Sequence, residues 1–102
     1  MSFEMLVALD VADDEIYAQY RREMTPILSR YNGNFGYDFK VSEVLISQVS
    51  APINRVFSIC FPSEEMKNQF FNDKEYMAIK QHYFTPSVRA TTLIASYEKP
   101  DN

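Results

Sequence analysis

The sequence predicts a single α+β domain whose elements follow the order β-α-β-β-α-β. Three observations lead to this fold class: a length of 102 residues, a hydrophobic content of 46%, and stretches of period-two alternation separated by two segments of helical periodicity. The length suits one domain, and the hydrophobic content suffices for a packed core. We therefore predict one domain over residues 1–98 and a short C-terminal tail over residues 99–102.

The first strand and the first helix are the clearest elements. A period-two pattern, which indicates a strand, sets Phe3, Met5, Val7 and Leu9 against Glu4, Leu6, Ala8 and Asp10. From residue 16 to residue 31 the apolar residues recur at spacings of three and four, which predicts a helix, with Asp13 as its N-cap. Pro26 lies inside this pattern and favours one bent helix over two separate ones. Asn32-Gly33 offers a left-handed residue where the helix ends.

The middle of the chain contains two more strands and a loop. Alternation over residues 35–41 predicts the second strand, and we expect residues 44–46 to extend it after an irregularity. The stretch 47–54 contains a proline and small polar residues, which is typical of a loop. Alternation resumes over residues 55–61 and predicts the third strand.

The last third of the chain completes the arrangement. Ser63 is the predicted cap of a second helix, and Asp73 can cap a further helical segment. The β-branched and apolar residues 90–97 predict the fourth strand. Because βαβ crossovers are right-handed, both helices should lie on one face of a four-stranded antiparallel sheet, which is the ferredoxin-like arrangement.

The two faces of the predicted sheet differ in composition. The face that should pack under the helices is strongly apolar; it comprises Phe3, Met5, Val7, Leu9, Phe35, Tyr37, Phe39, Phe57, Ile59 and Phe61. The other face is small and mildly apolar, with Leu6, Ala8, Val56, Ser58, Cys60 and part of the last strand. A face of this kind is expected where one sheet packs on another, so we predict a homodimer through the sheet face, against the alternative of a monomer.

Composition argues against several classes of function. The net charge is −4 and the basic residues are scattered, which disfavours nucleic-acid binding. Two glycines cannot form a Gly-rich phosphate loop. A single cysteine fits a reducing compartment, and the N-terminus does not resemble a signal peptide; we therefore expect a cytoplasmic protein that does not enter a membrane.

Several local signatures resemble a known family. They are Met5 to Asp10 followed by Ile16-Tyr17 and Tyr20, then Tyr31-Asn32-Gly33, Phe61-Pro62-Ser63, and Glu75-Tyr76 leading to Ile79-Lys80. Over nearly its whole length the chain resembles the dimeric α+β barrel superfamily, and within it the small branch called domain of unknown function thirteen-thirty. In that superfamily two sheets face each other as a dimeric α+β barrel. The branch tends to place an arginine after the Glu-Tyr signature, where this chain has His82 and Tyr83.

The resemblance also implies a site. Superfamily enzymes that act on aromatic polyketides or lactones often work without a cofactor, in a pocket between helices and sheet, where Tyr, His and Arg side chains orient the substrate and move protons. By this resemblance the candidate catalytic residues are Tyr20, Tyr37, His82 and Arg89. The alternative is that the tyrosines are ordinary core aromatics and His82 is a helix-end imidazole.

Other polar residues receive structural interpretations. A metal or haem site at His82 has no histidine or tryptophan companions in the sequence, so we expect neither metal nor cofactor. Cys60 is interpreted as a small core or interface residue, Arg21 as a solvated helix position, and Arg55 with Glu4 as a surface pair.

Three functional hypotheses remain open, and the third, beside the two that follow, is a purely structural or interaction module. One is a homodimeric protein that binds a small organic metabolite in a pocket between helices and sheet. The alternative is a cofactor-independent oxygenase or isomerase acting on an aromatic or lactone metabolite.

Overall fold

Four strands form one sheet in which every neighbouring pair is antiparallel. The structure is a computed structural model that describes residues 1–100. In space the strands follow the order β2-β3-β1-β4, with β1 and β3 at the centre. Their bounds are β1 (Ser2–Val11), β2 (Asn34–Lys40), β3 (Arg55–Phe61) and β4 (Val88–Lys99).

The helices connect the strands as two crossovers, so the predicted element order and the α+β antiparallel fold are confirmed. Helix α1 (Asp14–Arg30) joins β1 to β2, and α2 (Glu64–Phe71) with α3 (Lys74–Ile79) follows β3. Helix α3 continues into a π-helical turn (Lys80–Phe84) and a last short turn, α4 (Thr85–Ser87). Within residues 1–100 no helix has both the length and the apolar composition needed to span a bilayer.

Side chains cap the helix N-termini where the sequence predicted them. Asp13 accepts a hydrogen bond from the Ile16 amide at 3.0 Å, which satisfies one of the free N–H groups of α1. Ser63 and Asp73 cap α2 and α3 in the same way, at 3.2 Å and 2.9 Å.

Helix α1 is continuous through Pro26 and ends in a Schellman motif. Asn32 takes the left-handed conformation with φ of 57°, and the Gly33 amide donates to the Leu28 carbonyl at 3.0 Å. Gly33 is needed for space, because a Cβ there would lie 2.4 Å from Leu28 Cδ1. The chain can therefore turn directly from α1 into β2.

The core lies between the helices and one face of the sheet, which we call the helix face. The strands contribute the buried side chains Phe3, Val7, Leu9, Phe57, Ile59 and Phe61 to it. The helices contribute Tyr17, Tyr20, Met24, Ile27, Leu28 and Phe70. We call the opposite face, which no helix covers, the open face.

A β-bulge in β2 reverses part of the predicted pattern. The pairing of β2 with β3 shifts register between Phe35 and Asp38, and the Tyr37 amide donates to Ser58 Oγ at 2.8 Å. Phe35 packs on the core as predicted, but Tyr37 and Phe39 lie on the open face with 65% and 54% of their surface exposed. The prediction that both pack under the helices is therefore wrong, and Asp38 takes the helix face instead.

Two further boundaries differ from the prediction. Residues 44–46 do not extend β2 but belong to an exposed loop over residues 41–54, in which Leu45 and Ile46 are 84% and 91% exposed. Strand β4 includes Lys99, the first residue of the predicted tail. Residues 101–102 of that tail lie outside the described residues.

Candidate functional site

A cavity of about 220 Å³ lies between the helices and the helix face of the sheet. Its floor is formed by Met5, Val7, Leu9, Ile59, Thr91 and Leu93. Its roof is formed mainly by aromatic side chains of α1, α3 and the π-helical turn: Tyr17, Tyr20, Tyr76 and Phe84. A concave, largely apolar space with a few polar groups is the usual form of a small-molecule site.

The periodicity of the sequence explains why these residues meet. Tyr17, Tyr20 and Met24 are spaced by three and four in α1, so they share the helix face that is turned to the sheet. On β1, alternation sends Met5, Val7 and Leu9 to the same side. The cavity therefore lies where the two apolar surfaces meet without filling the space between them.

Two tyrosine hydroxyls form the polar pair of the roof. Tyr20 Oη and Tyr76 Oη lie 2.8 Å apart, and burial raises the pKa of Tyr76 to about 12 and the pKa of Tyr20 well above its usual value. Both phenols are thus protonated at neutral pH. Since one hydroxyl donates to the other, the second keeps a proton that can be donated to a ligand oxygen.

Arg21 forms one end of the cavity, so the prediction that it is a solvated helix position is wrong. Its guanidinium carbon lies 3.9 Å from the centre of the Phe35 ring, and its Nε donates to Tyr17 Oη at 2.9 Å. Only 16% of the side chain is exposed. Its spacing of four from Tyr17 is the signal that could have placed it on the inner side of α1.

Asp38 joins Arg21 to Arg55. The Asp38 carboxylate accepts two hydrogen bonds from Arg55, both at 2.8 Å, and two from Arg21, at 3.2 Å and 3.5 Å. These bonds, above all those from Arg55, hold the pKa of Asp38 below its usual value. The predicted pair between Arg55 and Glu4 is therefore wrong, since Arg55 lies on the helix face and is paired with Asp38.

Lys80 is the second cation of the lining and is not among the candidate residues predicted from the sequence. It opens the π-helical turn, is exposed, and its ammonium lies 5.8 Å from the centre of the Phe84 ring. The lining residues Thr91 and Leu93 of the edge strand β4 are also exposed. The cavity thus opens between Lys80 and β4.

The four candidate catalytic residues do not come together. Tyr20 lines the cavity. Tyr37 lies on the open face because of the bulge in β2, and His82 is exposed with its ring 4.6 Å from that of Tyr83. Arg89 is paired with the buried carboxylate of Asp10 through two hydrogen bonds, at 3.0 Å and 3.2 Å. Neither His82 nor Arg89 lines the cavity.

A polar cluster on the open face surrounds Cys60. The Cys60 thiol donates to Glu4 Oε1 at 3.1 Å, and Tyr97 also donates to Glu4. Burial and the neighbouring Glu4 raise the pKa of Cys60 to about 11. The thiol therefore stays protonated at neutral pH, which fits the predicted structural role.

The residues that the structure describes contain no group of three or more His, Cys, Asp or Glu side chains arranged to hold a metal ion.

Comparison with solved structures supports the fold. A protein of unknown function from Rhodopseudomonas palustris aligns with 99% of this chain and 84% of its own, at 20% identity and a TM-score of 0.82. A dabb family protein with a ferredoxin-like fold from Mesorhizobium loti covers 98% of both chains, at 14% identity and a TM-score of 0.69. The hydroxynitrile lyase from Passiflora edulis covers 99% of this chain and 95% of its own, at 9% identity and a TM-score of 0.66.

At these identities the likenesses establish the fold alone. Among curated proteins, none matches the sequence significantly. The family described as Domain of unknown function (DUF1330) matches residues 5–97, which is nearly the whole chain. The chain therefore belongs to the DUF1330 family and has a ferredoxin-like fold, as its sequence predicted.

Proposed function

We propose that the protein binds a small organic molecule in the cavity between the helices and the sheet. The observation that carries this proposal is the cavity itself, which leaves about 220 Å³ of space between the helices and the sheet. An apolar cavity of roughly 150 Å³ accommodates benzene, so this one has room for a ring with a short side chain. The Tyr20–Tyr76 hydroxyl pair supplies a polar group that can orient a ligand oxygen.

Binding in the cavity is tested by narrowing its opening. Leu93 and Ile94 are neighbours with almost equal exposure, 52% and 51%, but Leu93 alone of the two lines the cavity. We expect Leu93→Trp to weaken binding of the neutral aromatic amide cinnamamide by roughly tenfold or more, because the indole occupies the ligand's space. Isothermal titration calorimetry measures the affinity.

The matched control is Ile94→Trp, which should bind cinnamamide like the wild type. The wild-type chain contains no tryptophan, so each variant has a single indole that also reports on the ligand by fluorescence. Equal affinity in both variants would place the ligand outside the cavity and contradict the proposal.

The catalytic alternative, a cofactor-independent oxygenase or isomerase, has less geometric support. Among the four candidate residues Tyr20 alone lines the cavity, and its raised pKa makes its phenolate a rare species at neutral pH. The titratable side chains of the lining are three tyrosines, Arg21 and Lys80. This set can hold and orient a ligand, which favours binding over proton abstraction.

We also propose that two copies of the chain pair through their open faces. Tyr37 and Phe39 stack with ring centres 5.8 Å apart and are largely exposed there, beside the half-buried Leu6 and Val56. A second copy would cover these apolar side chains with an identical set.

The proposed cytoplasmic location rests on the single free cysteine, Cys60.

If the chain dimerises through its open face, a charged residue introduced there should lower the mass of the particle in solution. We expect Phe39→Glu to convert a dimer at micromolar concentration into a monomer, since it would place a carboxylate in an apolar interface. Sedimentation-velocity ultracentrifugation measures the mass. Met77→Glu, on α3 and 52% exposed, is the control and should remain dimeric. A monomeric wild type would refute the proposal.

A further inference from the structure

The opening of the cavity carries the positive charge of Lys80. Lys80 lines the cavity and is exposed, and among residues 1–100 no acidic side chain forms an ion pair with it. Its ammonium approaches the Phe84 ring, which also belongs to the lining. The ammonium is therefore held beside the cavity by an apolar neighbour and is available to an incoming anion.

The other charged residues in and around the cavity also favour a negatively charged ligand. In the part of the chain that the structure describes, no Asp or Glu lines the cavity, while Arg21 and Lys80 both do. Asp38 balances only one of the two arginines that it contacts, so the cluster of Arg21, Asp38 and Arg55 keeps one net positive charge. The surroundings of the cavity are thus positive in a chain whose net charge is −4.

Arg21 and Lys80 differ in their capacity to bind a ligand anion. The Arg21 guanidinium is stacked on Phe35 and donates to Tyr17 and Asp38, so its hydrogen bonds are largely used within the protein. Within residues 1–100 Lys80 has no ion-pair partner, and it stands at the opening, where the polar end of a ligand would emerge. Lys80 is therefore the better site for the ligand's charge.

We infer that the ligand is an amphipathic organic carboxylate, with its apolar body in the cavity and its carboxylate paired with Lys80. The inference rests on the proposed binding function and adds the chemical class of the ligand. The apolar body would contact the aromatic roof and the aliphatic floor. The carboxylate would form a charge-assisted hydrogen bond with the ammonium, which is stronger than a bond between neutral groups.

The test compares two probes of nearly equal shape, cinnamate and its neutral amide cinnamamide. Isothermal titration calorimetry gives both affinities for the wild type and for Lys80→Met, which keeps an unbranched side chain but removes the charge. We expect the wild type to bind cinnamate roughly tenfold more tightly than cinnamamide, and Lys80→Met to lose this preference. Lys80→Arg should retain it.

The control is Lys74→Met, which makes the same change at an exposed lysine that begins α3 and does not line the cavity. It should keep the preference of the wild type. Circular dichroism of each variant verifies that the fold is preserved.

The possible results distinguish the inference that the ligand is a carboxylate from the proposal that the cavity binds a small molecule. Equal affinity of the wild type for both probes would overturn the anion inference and leave small-molecule binding in place. A preference that survives in Lys80→Met would remove Lys80 as the partner and overturn the inference in that form. Failure of both probes to bind at millimolar concentration would refute the proposed function and the inference together.

Discussion

Replacing Phe70 by alanine is expected to lower the free energy of unfolding by about 3–5 kcal/mol, the range for deleting a buried aromatic side chain. Phe70 is completely buried, and its ring contacts those of Phe61, Tyr76 and Tyr31 with centres 4.3–6.1 Å apart. It therefore joins α2 to β3, to the end of α1 and to the start of α3. A loss of this size is a large part of the stability of a domain of about 100 residues.

Urea denaturation followed by circular dichroism measures the effect, with the slope of the transition compared between proteins. Met77→Ala is the control, because Met77 lies nearby on α3 but is half exposed; we expect it to change stability by less than about 1 kcal/mol. A similar small loss for Phe70→Ala would contradict the prediction, because it would mean that the surrounding aromatic side chains collapse into the space left by the ring.

Much of the fold could be predicted from the sequence because helix caps and strand faces depend on local rules. The caps Asp13, Ser63 and Asp73 follow from short side chains that satisfy free backbone amides in the first turn. The strands β1 and β3 follow from the period-two recurrence of large apolar side chains, because residues of one strand point alternately to opposite faces. Neither rule requires knowledge of distant parts of the chain.

The error in β2 has a different origin. Alternation predicts faces only while a strand stays in register, and one extra residue reverses every side chain that follows. Here the bulge lies at Gly36, where a Cβ would approach Ser58 Oγ to 2.7 Å. A glycine inside a strand pattern is a known signal for a bulge or a close approach. The signal was therefore present, but its consequence for Tyr37 depends on the side chain of another strand.

The site could be predicted only in part. A pocket between helices and sheet, with Tyr20 in its lining, agrees with the structure. The roles of Arg21 and Arg89 depend on which carboxylate each one meets, and those are Asp38 and Asp10, 17 and 79 residues away in sequence. Such pairings are set by the register of the sheet and the crossing of α1. Composition and periodicity do not contain that information.

Replacing Asp38 by asparagine is the second change for which we expect a large effect. It keeps the shape of the side chain but removes the charge that holds Arg21 and Arg55, which are only 16% and 18% exposed. Two mostly buried guanidinium groups would then lack their counter-ion. We expect a loss of about 2 kcal/mol in the free energy of unfolding at neutral pH, less than for a fully buried pair because Asp38 is 31% exposed. Urea denaturation measures it.

The control for this change is an exposed ion pair. Arg30 and Glu75 are also paired, but their side chains are 57% and 61% exposed. Glu75→Gln should therefore change stability by less than about 1 kcal/mol. If Asp38→Asn cost no more than Glu75→Gln, solvent would be compensating the two arginines, and Asp38 would not be the group that holds Arg21 at the cavity.

The pH dependence of the free energy of unfolding independently tests whether the charge of Asp38 stabilises the fold. Because the folded state lowers the pKa of Asp38, its ionised form stabilises the fold at pH values above the unfolded pKa of about 3.9. That contribution is lost as the pH falls through the lower pKa of the folded state. The stability difference between wild type and Asp38→Asn should thus be largest near neutral pH and should shrink below about pH 4. Glu4, whose pKa is also lowered, is present in both proteins and cancels in the difference. A difference that stayed constant down to about pH 2 would show that the lost charge is not its cause.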